Sequence, residues 1–318
     1  MISSSLRQRI GDLLRGEHSG ALKLDPAFRR PRPEPRVVPT SIEDVLPGGV
    51  MINREGPCFV HERLYTELNE RPLQLLKKYE VIAHPELAEA EEKPHWVPVD
   101  AEGRPIEPPR TLPEIVAALD PPERGLFRKF GYRRMLFLDI ETCGLQPAPV
   151  FLIGLCHIGD RNLVLRQLFA RDYAEERAIL AEVERIIAEH DFLITYNGKT
   201  FDMPFLRQRA VYHRLSFSAT IPHLDLLWMA RRRWKAILPD CRLKTLEWRV
   251  LRRLRAGDID GSDIPGAYHE YVKHGQPHRL IPVFHHNLLD VVAMAELLPR
   301  LFEPDREAYL DRGGNLSL

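Results

Sequence analysis

Three apolar runs between residues 133 and 170 are joined by connections too short for a parallel crossover. RRMLFLDIE (133–141) is followed by the turn residues TCGLQPAP, and VFLIGLCHIG (150–159) gives way to NLVLRQLFA (162–170) through the turn Gly159-Asp160-Arg161-Asn162. Parallel neighbours need a connection of about a dozen residues or more, so these three runs predict antiparallel strands. Residues 173–190 then place Ile179, Leu180, Val183, Ile186 and Ile187 on one helical face. FLITYN (192–197) reads as a further, buried strand, and FDMPFLRQRAVYH (201–213), KTLEWRVLRRLR (244–255) and LLDVVAMAELLPRLF (288–302) as helices. Strands first antiparallel, then alternating with helices, define an α/β domain with a mixed sheet flanked by helices.

Upstream the punctuation changes. Of 27 prolines, 17 fall before residue 130, clustered at 26–39 and 94–122. Proline donates no backbone hydrogen bond and favours extended chain. Residues 1–130 therefore read as a Pro-rich, irregular accessory region, 131–305 as the α/β domain and 306–318 as a tail. Within the first region, Leu6, Ile10, Leu13 and Leu14 keep helical spacing over 5–16, and LQLLKKY (73–79) suits a short helix. GGVMINREGPCFVHERLY (48–65) suits a hairpin turning near Arg54–Gly56.

The 318 residues carry 45 Lys+Arg and 45 Asp+Glu, so bulk positive charge is excluded as a means of holding nucleic acid. Cys58, Cys143, Cys156 and Cys241 form no C-x-x-C pair, which argues against a disulfide framework or a thiolate zinc site. They read as small buried hydrophobes in a reducing compartment. The first residues lack the apolar run of a signal peptide, and Val150–Ile158 is too short to span a bilayer. A cytoplasmic protein with no membrane partner is expected.

Four acids stand where such a sheet would use them. Asp139 and Glu141 end an apolar strand and lie two apart, so both project to one face. Two neighbouring carboxylates repel unless a proton or cation lies between them, and a hard divalent cation is one resolution. The pairs Asp100/Glu102 and Asp305/Glu307 share the spacing; what distinguishes Asp139/Glu141 is the combination of an apolar strand before and a glycine turn after. Asp202 falls in the first turn of the helix after FLITYN, where a carboxylate also suits the helix dipole. In HHNLLD (285–290), His286 and Asp290 differ by roughly 40° around a helix and share a face, whereas His285 lies roughly 140° away.

These segments resemble a known pattern. FLDIETCGL (137–145), YNGKTFDMPFL (196–206) and HNLLDV (286–291) are similar to the three motifs of the DnaQ-like, or DEDD, 3′–5′ exonucleases, which have the ribonuclease H-like fold. With RLKTLE (242–247) and DIPGAYHEYVKHG (263–275), the combination resembles the YprB-type ribonuclease H-like group over about residues 132–302. A fainter similarity extends to GPCFVHERLY (56–65). The resemblance implies that Asp139, Glu141, Asp202 and Asp290 hold two Mg²⁺ or Mn²⁺ ions, with a histidine assisting deprotonation of water. His286 is favoured over His285 because it shares the helical face of Asp290. Thr142, Gly144 and Leu145 become candidate contacts to the terminal nucleotide, and Tyr196, Asn197 and Lys199 to nucleotide or phosphate. Asn197-Gly198 is equally an ordinary turn dipeptide.

The substrate-facing charge is local. Residues 231–255 hold ten Lys and Arg against Asp240 and Glu247, a charge of +8, with Trp234 and Trp248 interleaved. Single-stranded nucleic acid offers phosphates to pair and bases to stack. The alternative is that both tryptophans complete the core, along a stripe of Leu243, Leu246, Val250 and Leu254. The expectation is a divalent-metal-dependent 3′–5′ exonuclease acting on single-stranded DNA or RNA. An endonuclease of the same fold cutting structured or hybrid substrates, and a non-catalytic nucleic-acid-binding module, are the rivals.

Overall fold

A computed structural model describes residues 41–69, 71–87, 122–218, 220–255 and 257–303. The helix expected over 5–16, most of both proline clusters, the 306–318 tail and the Asp100/Glu102 and Asp305/Glu307 pairs lie outside them.

Among the described residues seven strands form one sheet: β1 (Gly49–Asn53), β2 (Gly56–Leu64), β3 (Met135–Thr142), β4 (Val150–Ile158), β5 (Leu163–Phe169), β6 (Phe192–Thr195) and β7 (His223–Asp225). Their order is β1-β2-β5-β4-β3-β6-β7. The short connections make β3, β4 and β5 antiparallel neighbours, as their lengths require, while β6 and β7 add in parallel beyond β3. The hairpin of β1 and β2 forms at the expected turn, and β2 pairs antiparallel with β5. The sheet thus extends across the boundary expected at residue 130, and the compact unit to which it belongs starts at Thr40.

Helices cover both faces. They are α1 (Pro72–Ala83), α2 (Arg124–Phe130), α3 (Glu176–Ala188), α4 (Asp202–Tyr212), α5 (Leu226–Trp234), α6 (Leu243–Arg249), α7 (Ile264–His274) and α8 (Ile281–Phe302). The period of two along β3 decides which face meets which helix. Leu136, Leu138 and Ile140 pack with Ile179, Leu180 and Val183 of α3, while Met135 and Phe137 pack with Leu288, Val291 and Val292 of α8. Asp139 and Glu141 keep the parity of Met135 and Phe137 and so face α8. Pro277–Phe302 is the one segment among the described residues long and apolar enough to cross a membrane by composition. Yet 67% of its apolar window is buried inside the protein. Its apolarity serves the core.

Three departures from expectation have physical reasons. The helix at KTLEWRVLRRLR stops at Arg249, because Arg253 and Arg255 turn back to the buried Glu247 carboxylate. Leu254 is consequently exposed and leaves the apolar stripe. Trp234 is in the core at 8% exposure, but Trp248 is 48% exposed with the Arg249 guanidinium 3.7 Å from its ring centroid. The two tryptophans thus divide between the two readings. Of the cysteines, all free, Cys58 and Cys156 are buried and Cys143 and Cys241 only partly so.

Candidate active site

The acids meet at the end of β3. Asp139 and Glu141 come from that strand, and a bulge between Glu141 and Thr142 ends its regular pairing with β4. Asp202 opens α4 next to the end of β6, the strand paired to β3. Asp290 is on α8, which lies across β3, β4 and β5. Burial and the charges of Asp290, Glu141 and Asp202 push Asp139 well above the usual carboxylate range. Burial, with Asp290, Asp202 and Asp258, does the same to Glu141. Asp202 is pushed up to about 7 chiefly by burial, against hydrogen bonds from its own backbone and that of Ile140. Asp139, Glu141 and Asp202 thus all feel the charge of Asp290, the pattern of carboxylates lacking enough positive charge between them.

A polar row crosses the apolar face under α8. Asp139, Gly154 and Gln167 stand side by side on β3, β4 and β5. Over them sits Asn287, fully buried, whose Nδ2 donates to Asp139 Oδ2 at 2.8 Å and whose Oδ1 accepts from Gln167 Nε2 at 2.9 Å. Gln167 Nε2 also donates to the Phe284 carbonyl at 2.9 Å. A Cβ on residue 154 would lie 2.3 Å from Asn287 Oδ1, so only glycine admits this amide.

On the other side, charged groups surround Asp290. Arg255, 7% exposed by side chain, bonds Asp290 through Nη2 and Glu247 through Nε, and its Nη1 lies 3.4 Å from Asp258 Oδ2. His286 is held at Nδ1 by Asp258 Oδ1 at 2.7 Å, and its Nε2 faces Asp290 Oδ2 at 3.4 Å. His285 is half-buried and makes no hydrogen bond or ion pair among the described residues. Lys244 reaches Asp258 Oδ2 at 2.9 Å.

The donor chemistry fits hard divalent cations: four carboxylates, all oxygen ligands, from three elements. Asp139, Glu141, Asp202 and Asp290 are the residues that would hold them. One Asp290 oxygen is engaged by Arg255 and one Asp139 oxygen by Asn287. Among the described residues no three His, Cys, Asp or Glu side chains already stand as a coordinating group.

The remaining expected residues lie at the end of β3 and in the segments that follow β3 and β6. Thr142 Oγ1 donates to the Gly144 carbonyl at 2.8 Å, and Gly144 takes φ +136° in the turn that leaves Leu145 84% exposed. Asn197, at φ 65°, and Lys199 are exposed, and their backbone N–H groups donate to the buried Asp225 carboxylate at 2.8 and 3.1 Å. Tyr196 is half-buried and its hydroxyl donates to the Cys241 carbonyl. The Asn197-Gly198 dipeptide is thus a built turn, with Gly198 packed against Thr195 where a Cβ would clash.

Sequence reasoning missed Asn287, Arg255 and Asp258. Asn287 had a signal, an amide inside an otherwise apolar helical face. Asp258 had none, since Asp260 and Asp263 share its loop and its composition.

With this geometry in place, the comparisons give the class. A family model of the RNase_H superfamily matches residues 136–302, from the start of β3 to the end of α8. The chain belongs to that superfamily. It is 32% identical over 176 residues to an uncharacterized protein, YprB, of Bacillus subtilis (strain 168), a match covering 52% of this chain and 42% of that protein. The chain therefore spans less than half the length of this relative, and the YprB-type resemblance of the motifs is borne out. A solved structure of the family B DNA polymerase from the hyperthermophilic archaeon Pyrobaculum calidifontis aligns with a TM-score of 0.44 at 18% identity, covering 53% of this chain and 25% of that one.

Proposed function

We propose that this chain is a 3′–5′ exonuclease that hydrolyses phosphodiester bonds of single-stranded nucleic acid with two divalent cations. The observation that carries this reading is the convergence of Asp139, Glu141, Asp202 and Asp290, from β3, α4 and α8, with the acidity of Asp139, Glu141 and Asp202 suppressed by burial and by neighbouring carboxylates. Bound Mg²⁺ or Mn²⁺ would lower the pKa of the attacking water and neutralise charge on the phosphate and the leaving 3′ oxygen. His286, whose Nε2 lies 3.4 Å from Asp290 Oδ2, would take the proton from that water. Asn287 fixes one oxygen of Asp139 and so sets the direction of the other.

The substrate strand would be held at the rim. Leu145 offers an exposed apolar side chain for the terminal base, with the Thr142–Gly144 turn behind it. Asn197 and Lys199 present exposed side chains in the segment between β6 and α4. The +8 segment contributes through fewer residues than its sequence suggests. Arg232, Lys244, Arg253 and Arg255 are engaged in ion pairs within the protein. Arg231, Lys235, Arg242, Arg249 and Arg252 are exposed and form no salt bridge among the described residues. With the exposed Trp248 they offer charge and a stacking surface.

The test is incubation of purified protein with 3′- and 5′-labelled DNA and RNA, with and without Mn²⁺. A metal-dependent ladder from the 3′ end is expected, and Asp202→Asn abolishes it. Internal cutting of circular single strands would replace this reading with the endonuclease one. No metal-dependent cleavage of any substrate would overturn both.

A further inference from the structure

We propose that Asp258 is a positioning residue for the hydrolytic step, orienting His286 toward Asp290. This rests on the exonuclease reading and adds to it a residue outside the four acids. The basis is geometric. Asp258 reaches the site from the loop between α6 and α7, and its two oxygens have different partners. Oδ2 accepts from Lys244 at 2.9 Å and lies 3.4 Å from Arg255, while Oδ1 is 2.7 Å from His286 Nδ1.

Flanked by two cations, Asp258 is a carboxylate and can only accept, so His286 Nδ1 must be the donor. That bond fixes the ring about its χ2 axis and leaves Nε2 as the atom directed at Asp290 Oδ2, 3.4 Å away. The backbone alone cannot supply this orientation. α8 puts His286 on the Asp290 face, but an imidazole on a helix can turn its ring either way round. A carboxylate behind the outer nitrogen settles the choice, as outer partners do for histidines in metal sites. Arg255 completes the frame by spanning Asp258 and Asp290, so the two carboxylates that flank the ring are held relative to each other.

The competing role for Asp258 is purely structural, as the counter-charge of Lys244 and Arg255. A double-mutant cycle separates the two. Single-turnover cleavage of a labelled oligonucleotide is measured for wild type, Asp258→Asn, His286→Gln and the double variant, together with melting midpoint and Mn²⁺ affinity by calorimetry. Asn keeps the volume but can present its amide to the ring. A fall in kcat of about 10- to 100-fold is expected. KM and Mn²⁺ affinity should stay within about twofold, since Asp258 is not among the four metal-holding acids. In the His286→Gln background, Asp258→Asn should produce no further loss, and Asp258→Glu should recover part of the wild-type rate.

Losses that multiply in the double variant would overturn the assignment. So would a drop in Mn²⁺ affinity that matches the drop in rate, or a lowered melting midpoint in Asp258→Asn that Asp258→Glu shares without regaining activity. If the wild type cleaves and the cycle is additive, Asp258 alone is misassigned. If the wild type cleaves nothing under any metal condition, the exonuclease reading falls and this one with it.

Discussion

Gly154 and Asn287 act as one unit although they lie on different layers. A methyl at residue 154 would meet the Asn287 amide at 2.3 Å, so Gly154→Ala must displace the group that holds Asp139. Overpacking of this kind costs about 1–3 kcal/mol. Gly154→Ala should therefore lose stability in urea denaturation and lose turnover together, and a variant that loses neither would contradict the geometry. Two rim residues make a contrast. Tyr196→Phe removes the hydroxyl bonded to the Cys241 carbonyl and should cost about 1 kcal/mol of stability with turnover intact. Leu145→Ala, in an 84% exposed side chain, should leave stability unchanged and raise KM. Melting curves and steady-state kinetics on the same preparations check both.

At the scale of elements, the loop from β3 to β4 that carries Leu145 is anchored by a buried ion pair. Arg209 of α4 binds Glu176 of α3 through Nε at 2.7 Å and Nη2 at 2.6 Å, and its Nη1 donates to the Pro147 carbonyl at 2.7 Å. Glu176 also accepts from the Val150 amide at 2.8 Å and lies 2.7 Å from His213 Nε2. Removing one partner strands a buried charge, so Arg209→Met should cost about 3–5 kcal/mol. Denaturation midpoints read the loss, and limited proteolysis should show the 143–149 loop opening first.

Elements with clear periodicity were legible in the sequence. β3, β4, β5, α3 and α8 each repeat an apolar pattern over seven residues or more, and their short or helical connections dictate the pairing. β7, with three residues, has too little pattern of its own, and α6 was legible as a helix but not in its end, where Arg253 and Arg255 turn back to Glu247. α5 and α7 went unassigned although their buried residues keep helical spacing, with Leu226, Leu227, Ala230 and Trp234 on one and Ile264, Ala267, Tyr268 and Tyr271 on the other. The four acids were legible because strand parity and helical spacing fix their faces. Asp258 was not, because its partner His286 is distant in the chain and a loop has no period.

For the molecule as a whole, the acid cluster links stability to pH and metal. Asp202 moves from an ordinary 3.8 up to about 7, so the folded chain binds this proton more tightly than the unfolded one. Its contribution is present in full below the unfolded value and is lost as pH rises from about 4 to about 7. Asp139 and Glu141 shift in the same direction and act with the same sign. Metal-free protein should therefore lose melting temperature across that window through these groups, with a shallower slope in Asp202→Asn. Adding Mn²⁺ near neutral pH should raise the midpoint in proportion to the logarithm of its concentration, because ions that bind the folded state stabilise it by mass action. An unchanged midpoint in excess Mn²⁺ would argue against a metal site at these acids.

The place of β2 in the sheet also sets an order of events during synthesis. Phe59 pairs with Phe169 and Leu64 with Val164, so the hairpin made early has no edge to join until β5 has been made. Cys58, Phe59 and Tyr65, all buried in the finished protein, must wait without their neighbours while the intervening chain emerges. Pairings this distant in sequence are slow, since loop closure precedes any gain from contact. The nascent chain therefore passes through a stage in which an apolar hairpin and an open strand edge are both accessible, which is where aggregation has its best opportunity, before residue 170 is made.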